Sequence, residues 1–119
     1  MSVINSIEWL HLIEREGLDI NTHCSWGYSL LHNIVATDDL NLLSVFINIP
    51  NLDINNKDRF GHTPLHYALF TYNIDIINIL LVKGADPNIL SINGTTILQK
   101  AKLDGKEEVA QLLIRYGAK

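Results

Sequence analysis

Cysteine is almost missing from this chain of 119 residues: Cys24 stands alone, so no internal disulfide can brace the fold, and a single thiol fits a reducing compartment. Basic charge is scarce too. The 9 Lys and Arg are outnumbered by 13 Asp and Glu, a formal net charge of -4, which provides no field to hold phosphates and makes nucleic acid a poor partner. Long apolar runs are absent. The most apolar stretch, Ile74 to Val82, is broken by Asp75 and Asn78 and is far too short to span a bilayer, so no membrane contact is expected. Met1 to Ser6 shows neither the basic region nor the unbroken apolar stretch of a signal peptide. The expectation is a soluble cytoplasmic protein. No Gly-x-Gly-x-x-Gly run or Gly-rich loop ending in Lys-Ser/Thr occurs, so no nucleotide cofactor is expected. Against these absences, 47% hydrophobic and 18% charged residues imply one domain with a packed core rather than disorder.

What the sequence does contain is a repeat. Gly27-Tyr-Ser-Leu-Leu-His32, Gly61-His-Thr-Pro-Leu-His66 and Gly94-Thr-Thr-Ile-Leu-Gln99 begin alike, their glycines 34 and then 33 residues apart. A second landmark keeps the same phase: Gly17-Leu-Asp-Ile-Asn21, Asn51-Leu-Asp-Ile-Asn55, Gly84-Ala-Asp-Pro-Asn88 and the truncated Gly117-Ala118. Between landmarks the spacing is helical. Leu65, Ala68 and Leu69 follow Thr63-Pro64, where proline suits the first turn and Thr63 an N-cap, as does Ser29 one unit earlier. After a break at Tyr72-Asn73, Ile76, Ile77, Leu80 and Leu81 mark a second helix, and Gly84 fits a left-handed stop. The last unit repeats this with Val109, Leu112, Leu113 and Gly117. A lone helix pair of this kind cannot bury its apolar faces, so neighbouring units must stack.

On these residues the chain resembles the ankyrin repeat family: its third unit carries Thr63-Pro64-Leu65-His66, then Ala68, Leu80-Leu81 and Gly84-Ala85-Asp86. The resemblance implies an all-α solenoid of stacked antiparallel helix pairs, with β-turn loops projecting as a row of fingers. Departures occur. The second unit has Ser29-Leu30-Leu31-His32 without the proline, Ile34 where Ala68 stands later, and Pro50 with an extra residue near the end of its second helix. Asn51 takes a glycine position there, which asparagine tolerates best. The fourth unit has Ile97 for proline and Gln99 for histidine. The start leaves room for only one helix, roughly Ile4 to Ile13, with Ile7, Leu10 and Ile13 inward. Lys102, Asp104, Lys106, Glu107, Glu108, Gln111 and Arg115 give the last unit the polarity of a cap. The division expected is a half repeat over 1–23, repeats over 24–57 and 58–90, and a capping repeat over 91–119.

Signals of chemistry have plainer readings. His62 and His66 have the i, i+4 spacing of two metal ligands, but Pro64 puts His62 before the helix and no Cys, Asp or Glu completes a site. In the resembled family His66 instead ties turn to helix through Thr63, and His32 does so with Ser29. Asp53 to Asp58 faintly matches a calcium loop, yet lacks its glycine and has Pro64 in place of the final glutamate. Cys24 beside His23 is adjacency along a loop, not a nucleophile with a positioned base. Asp38-Asp39 and Glu107-Glu108 suit helix N-termini rather than an acid–base pair. No metal, no cofactor and no catalysis are expected.

The residues the scaffold does not demand point to binding. The resemblance implies that positions flanking the turn glycine, with the exposed side of the first helix, line a concave face. They hold Ser25, Trp26 and Tyr28; Arg59, Phe60 and His62; Ile92, Asn93 and Thr95; with Phe70 and Thr71 extending the surface. Aromatics and arginine at such places have the composition of a binding hot spot. The plainer alternative is that Trp26 and Phe60 pack sideways onto neighbouring fingers. The function expected is a non-enzymatic scaffold for protein–protein interaction, monomeric, with an unidentified protein partner. Alternatives are an inhibitor or immunity-type protein that blocks an enzyme, and a module that self-associates through the N-terminal half repeat. Abundant isoleucine and asparagine hint at an AT-rich genome. By analogy with ankyrin proteins of intracellular bacteria and large DNA viruses, that raises delivery into a host cell's cytoplasm.

Overall fold

The computed structural model describes residues 8, 11, 14, 15, 17, 19–21, 23, 27–91 and 93–119. Three helix pairs fall on the three recurring segments: α1 Leu30–Ala36 with α2 Leu40–Phe46, α3 Pro64–Ala68 with α4 Ile74–Val82, and α5 Ile97–Leu103 with α6 Glu107–Arg115. Among the described residues no strand forms, only an isolated antiparallel bridge between His23 and Ser29. The expected all-α architecture is what the chain adopts. Glu8, His11, Glu14 and Arg15 are helical and exposed, while Ile4, Ile7, Leu10 and Ile13, expected to face inward, lie outside the described residues.

Each first helix starts with the same reciprocal cap. Ser29, Thr63 and Thr96 stand in extended conformation, and their hydroxyls accept the N–H of His32, His66 and Gln99. The side chains of those three residues in turn accept the N-cap N–H, at 3.1, 2.9 and 3.0 Å. Gln99 departs from the repeat's histidine yet does the same work with an amide oxygen. The second helices of the first two pairs are capped by Asp39 and Asn73. α2 stops at Phe46, short of the nine residues of α4 and α6, and Asn51 closes that unit at φ 67, the left-handed conformation its identity implied.

Packing follows two rows. α1 lies against α3 in the first-helix row; α4 lies between α2 and α6 in the second. Leu30, Ile34, Leu65, Ile76, Ile77, Leu80 and Leu113 are no more than 1% exposed, so burying these faces between units is what holds the stack together. The predicted inward residues Ile76, Ile77, Leu80, Leu81, Val109, Leu112 and Leu113 are all buried.

A polar ladder runs beside this core. Asp19, Asp53 and Asp86 each accept the N–H two residues on through Oδ1, at 2.8, 3.0 and 2.9 Å, shaping the loop between units. The asparagine that follows reaches the next unit: Asn21 Oδ1 accepts the Asp53 N–H at 2.7 Å and Asn55 Oδ1 that of Asp86 at 2.8 Å. Asn88 Oδ1 accepts from Lys119 at 3.0 Å. The polar residues of the last unit, Lys102, Asp104, Lys106, Glu107, Glu108, Gln111 and Arg115, are exposed.

Candidate protein-binding face

The finger before α3 is organised by Asp58. Its Oδ1 accepts the N–H groups of Phe60 and His62, at 2.9 and 2.8 Å, and its Oδ2 accepts the Tyr67 hydroxyl at 2.6 Å. The His62 carbonyl closes the turn onto the Asp58 N–H at 2.8 Å, and Gly61 takes the positive φ of 79° that the reversal needs. Burial alone would raise the Asp58 carboxyl. The Tyr67, His62 and Phe60 donors together outweigh it and hold the group below its ordinary value.

This finger carries a run of rings from its tip to the end of α3. Phe60 and His62 lie 6.4 Å apart by centroid, His62 and Tyr67 6.4 Å, and Tyr67 and Phe70 5.2 Å. Tyr67 also meets His32 of the preceding unit at 4.6 Å. Phe60 is 50% exposed and Phe70 66%. Tyr67, half-buried between them, joins finger to helix. Sequence reasoning passed over it because it sits inside a helix beside the repeat's histidine; its fit to helical spacing two residues after Leu65 would have placed it off the core face.

The other expected face residues divide. Asn93 and Thr95 are exposed and line a cleft of about 210 Å³ shared with His62, His66 and Phe70. Thr71 is exposed, and its hydroxyl donates to Asp38 at 3.3 Å, one unit back. Tyr28 is half-buried and packs on the core. Arg59 lies over Gly27, where an added Cβ would meet its Nε at 2.7 Å. These two belong to the finger–finger contact as much as to the outer face. Ser25, Trp26 and Ile92 lie outside the described residues, as does Cys24.

His32 and His66 serve the caps of their helices. His62 and His66 stack edge to face at 5.5 Å, but the Nδ1 lone pair of His66 already accepts the Thr63 N–H. Among the described residues no group of three or more His, Cys, Asp or Glu could hold a metal. Burial lowers the pKa of His32, and it pushes His66, with the neighbouring His62 ring adding to the effect, down to about 4. Among the described residues, no helix is long and apolar enough to cross a membrane.

A profile of ankyrin repeats (three copies) matches residues 3–91. A solved structure described as that of the Legionella effector AnkH is 32% identical and superposes with a TM-score of 0.84, over 92% of this chain and 24% of that one. The chain thus spans about a quarter of that structure's length. No curated protein matches it.

Proposed function

The chain belongs to the ankyrin repeat family, whose repeats are in general protein-interaction modules, and from that premise we propose that it binds a protein partner through the fingers and first helices around Phe60 and Phe70. One observation supports the placement: the ring series from Phe60 through His62 and Tyr67 to Phe70 is continuous, and both of its ends are open to solvent. Exposed aromatic surface on a rigid support is what a partner's apolar side chains bury most profitably. Asn93, Thr95 and Thr71 supply a polar margin of the kind that surrounds such a centre. The likeness to a Legionella effector supports a host-directed version, in which the partner is a host protein.

The test is to capture a partner from lysate on the immobilised chain and titrate it against wild type, Phe60→Ala and Phe70→Ala, beside thermal melts of both variants. Each substitution should weaken binding by roughly 1–3 kcal/mol while the melting temperature barely moves. Variants that bind as wild type, or that melt as badly as a core truncation, would return these rings to the scaffold.

A further inference from the structure

The finger ahead of α5 is tied more loosely than its equivalent one repeat earlier. In the finger ahead of α3, Asp58 Oδ1 accepts the Phe60 and His62 N–H groups and its Oδ2 the Tyr67 hydroxyl. One repeat on, Ser91 stands in the place of Asp58, Asn93 in that of Phe60, Gly94 in that of Gly61 and Lys100 in that of Tyr67. The carboxylate hub and its tyrosine are both gone. Among the described residues this turn is closed by a single main-chain hydrogen bond, from the Gly94 N–H to the Ser91 carbonyl at 3.0 Å. Asn93 is exposed, and its side chain bonds to no described residue.

Asn93 is also the one asparagine of the chain that glycine follows. A main-chain nitrogen can attack the side-chain amide carbon of an asparagine just before it, and a side chain on the attacking residue stands in the way. Gly94 has no Cβ, and the place one would occupy has nothing within 4 Å. Asn21, Asn55, Asn73 and Asn88 differ on both counts. Their side chains are committed to the neighbouring unit or to the α4 cap, and Thr22, Asn56, Ile74 and Ile89 follow them. We propose that Asn93 is a site of spontaneous conversion to aspartate and isoaspartate, with the Gly94 main-chain nitrogen as the nucleophile.

The Gly94 N–H first leaves the Ser91 carbonyl, and its proton goes to hydroxide. The nitrogen bonds to Asn93 Cγ, the Cγ–Nδ2 bond breaks, and ammonia departs, closing a succinimide ring. Water then opens the ring. Attack at Cγ leaves aspartate; attack at the Asn93 main-chain carbonyl leaves isoaspartate, whose main chain runs through Cγ. The sum is amide plus water giving carboxylic acid plus ammonia, with no oxidant and no enzyme. The reaction requires nothing of the binding reading above, yet its product lies on that face. Asn93 borders the cleft with His62, Phe70, Thr95 and Lys100, which no carboxylate lines. Conversion puts a carboxylate there and takes the formal net charge one unit below -4. Isoaspartate also lengthens the turn by one main-chain atom shortly before the Thr96 cap. An older molecule thus presents a more anionic margin than a newly made one.

The experiment incubates the full, folded chain in oxygen-18 water at neutral and mildly alkaline pH, then digests it in ordinary water and maps the peptides by mass spectrometry. The label should enter at residue 93, as two products that chromatography separates, at a rate that rises with hydroxide. Asn93→Gln should stop the reaction, because its longer side chain closes a less favourable ring. Gly94→Ala should slow it about tenfold, since the added methyl shields the nitrogen. The same incubation in urea separates sequence from structure: the folded rate should lie within about tenfold of the unfolded one, the cost of opening one exposed hydrogen bond. Three results would overturn the proposal. Asn93 could stay intact in the folded chain while converting in urea, which would make the Ser91 contact a protecting latch. Label could enter Asn21, Asn55 and Asn88 as fast as Asn93. Gly94→Ala could convert at the wild-type rate, which would make the loss of ammonia a direct hydrolysis in which Gly94 takes no part.

Discussion

Asn55 and Asp86 are joined across consecutive repeats: the Asn55 Oδ1 accepts the Asp86 main-chain N–H at 2.8 Å, while the Asn55 amide reaches back to the Gly84 carbonyl at 3.4 Å. The same side chain therefore pairs with two main-chain groups of the next loop, two residues apart, and fixes the spacing between the two loops. Asn55→Ala should lower the unfolding free energy by about 1–2 kcal/mol, two exposed hydrogen bonds of ordinary strength. Urea unfolding measures it, and an unchanged midpoint would mean that water replaces both contacts without loss.

The sequence displays Asn21, Asn55 and Asn88 as plainly as it displays the aspartates two residues before them, because both columns share the period. Period alone does not say whether a recurring polar residue bonds within its own loop, as Asp53 does, or across to the next, as Asn55 does. Local features were legible: the caps at Ser29 and Thr63, the inward faces of α4 and α6, and Asn51 in a glycine's conformation. Two features of the binding face were not. Asp58 as the hub of the finger depends on Tyr67, nine residues on, turning its hydroxyl back toward the loop. The seating of His66 beside the Ile89 carbonyl depends on where the next unit's loop comes to rest, which His66's own surroundings in sequence do not encode.

Gly27 and Gly94 offer a paired comparison. Both are turn glycines with positive φ, 85° and 74°, so alanine is strained at either. A Cβ on Gly27 would also meet Arg59 at 2.7 Å from Nε and 3.1 Å from Cβ, whereas one on Gly94 meets nothing within 4 Å. Gly94→Ala should cost about 1 kcal/mol, the conformational penalty alone. Gly27→Ala should cost more, and truncating Arg59 to alanine in the same chain should recover part of the difference. A double-mutant cycle by urea unfolding gives that coupling directly, and a coupling of zero would show that Arg59 is free to swing away.

Stability should fall on mild acidification. The His66 ring titrates at about 4 in the folded chain against 6.5 when unfolded, and His32 is shifted the same way. As pH drops below 6.5 the unfolded chain takes up these protons first, so native stability is full above that value and is lost progressively toward about 4. Asp58 adds a second stage: its folded pKa lies below 3.8, so its contribution is present above 3.8 and disappears as pH falls through the folded value. Urea midpoints measured between about pH 7 and about pH 5 should decline for wild type and decline less in His66→Gln, where His32 still contributes. An equal decline in both would assign the acid sensitivity to other groups.

Ile34→Ala brings the second unit into line with Ala68 and Ala101, which hold the equivalent place in the later units and are 1% and 0% exposed. Consensus reasoning would expect such a change to be harmless or stabilising. Packing says otherwise. Ile34 is 0% exposed and shares a tight apolar site with Ile20, Leu30, Leu31, Phe46 and Leu52 that leaves no room for water. Its bulk fills space in the unit whose second helix is the shorter one, seven residues against nine in α4. Replacing it leaves a cavity that these neighbours close only in part, so the expected loss is about 2–5 kcal/mol, similar to that for Leu65→Ala at an equally buried site. Thermal melts of the two variants side by side decide the matter. If Ile34→Ala holds its melting temperature while Leu65→Ala does not, α2 and the Leu52 loop can move inward, and the second unit is more plastic than its burial implies.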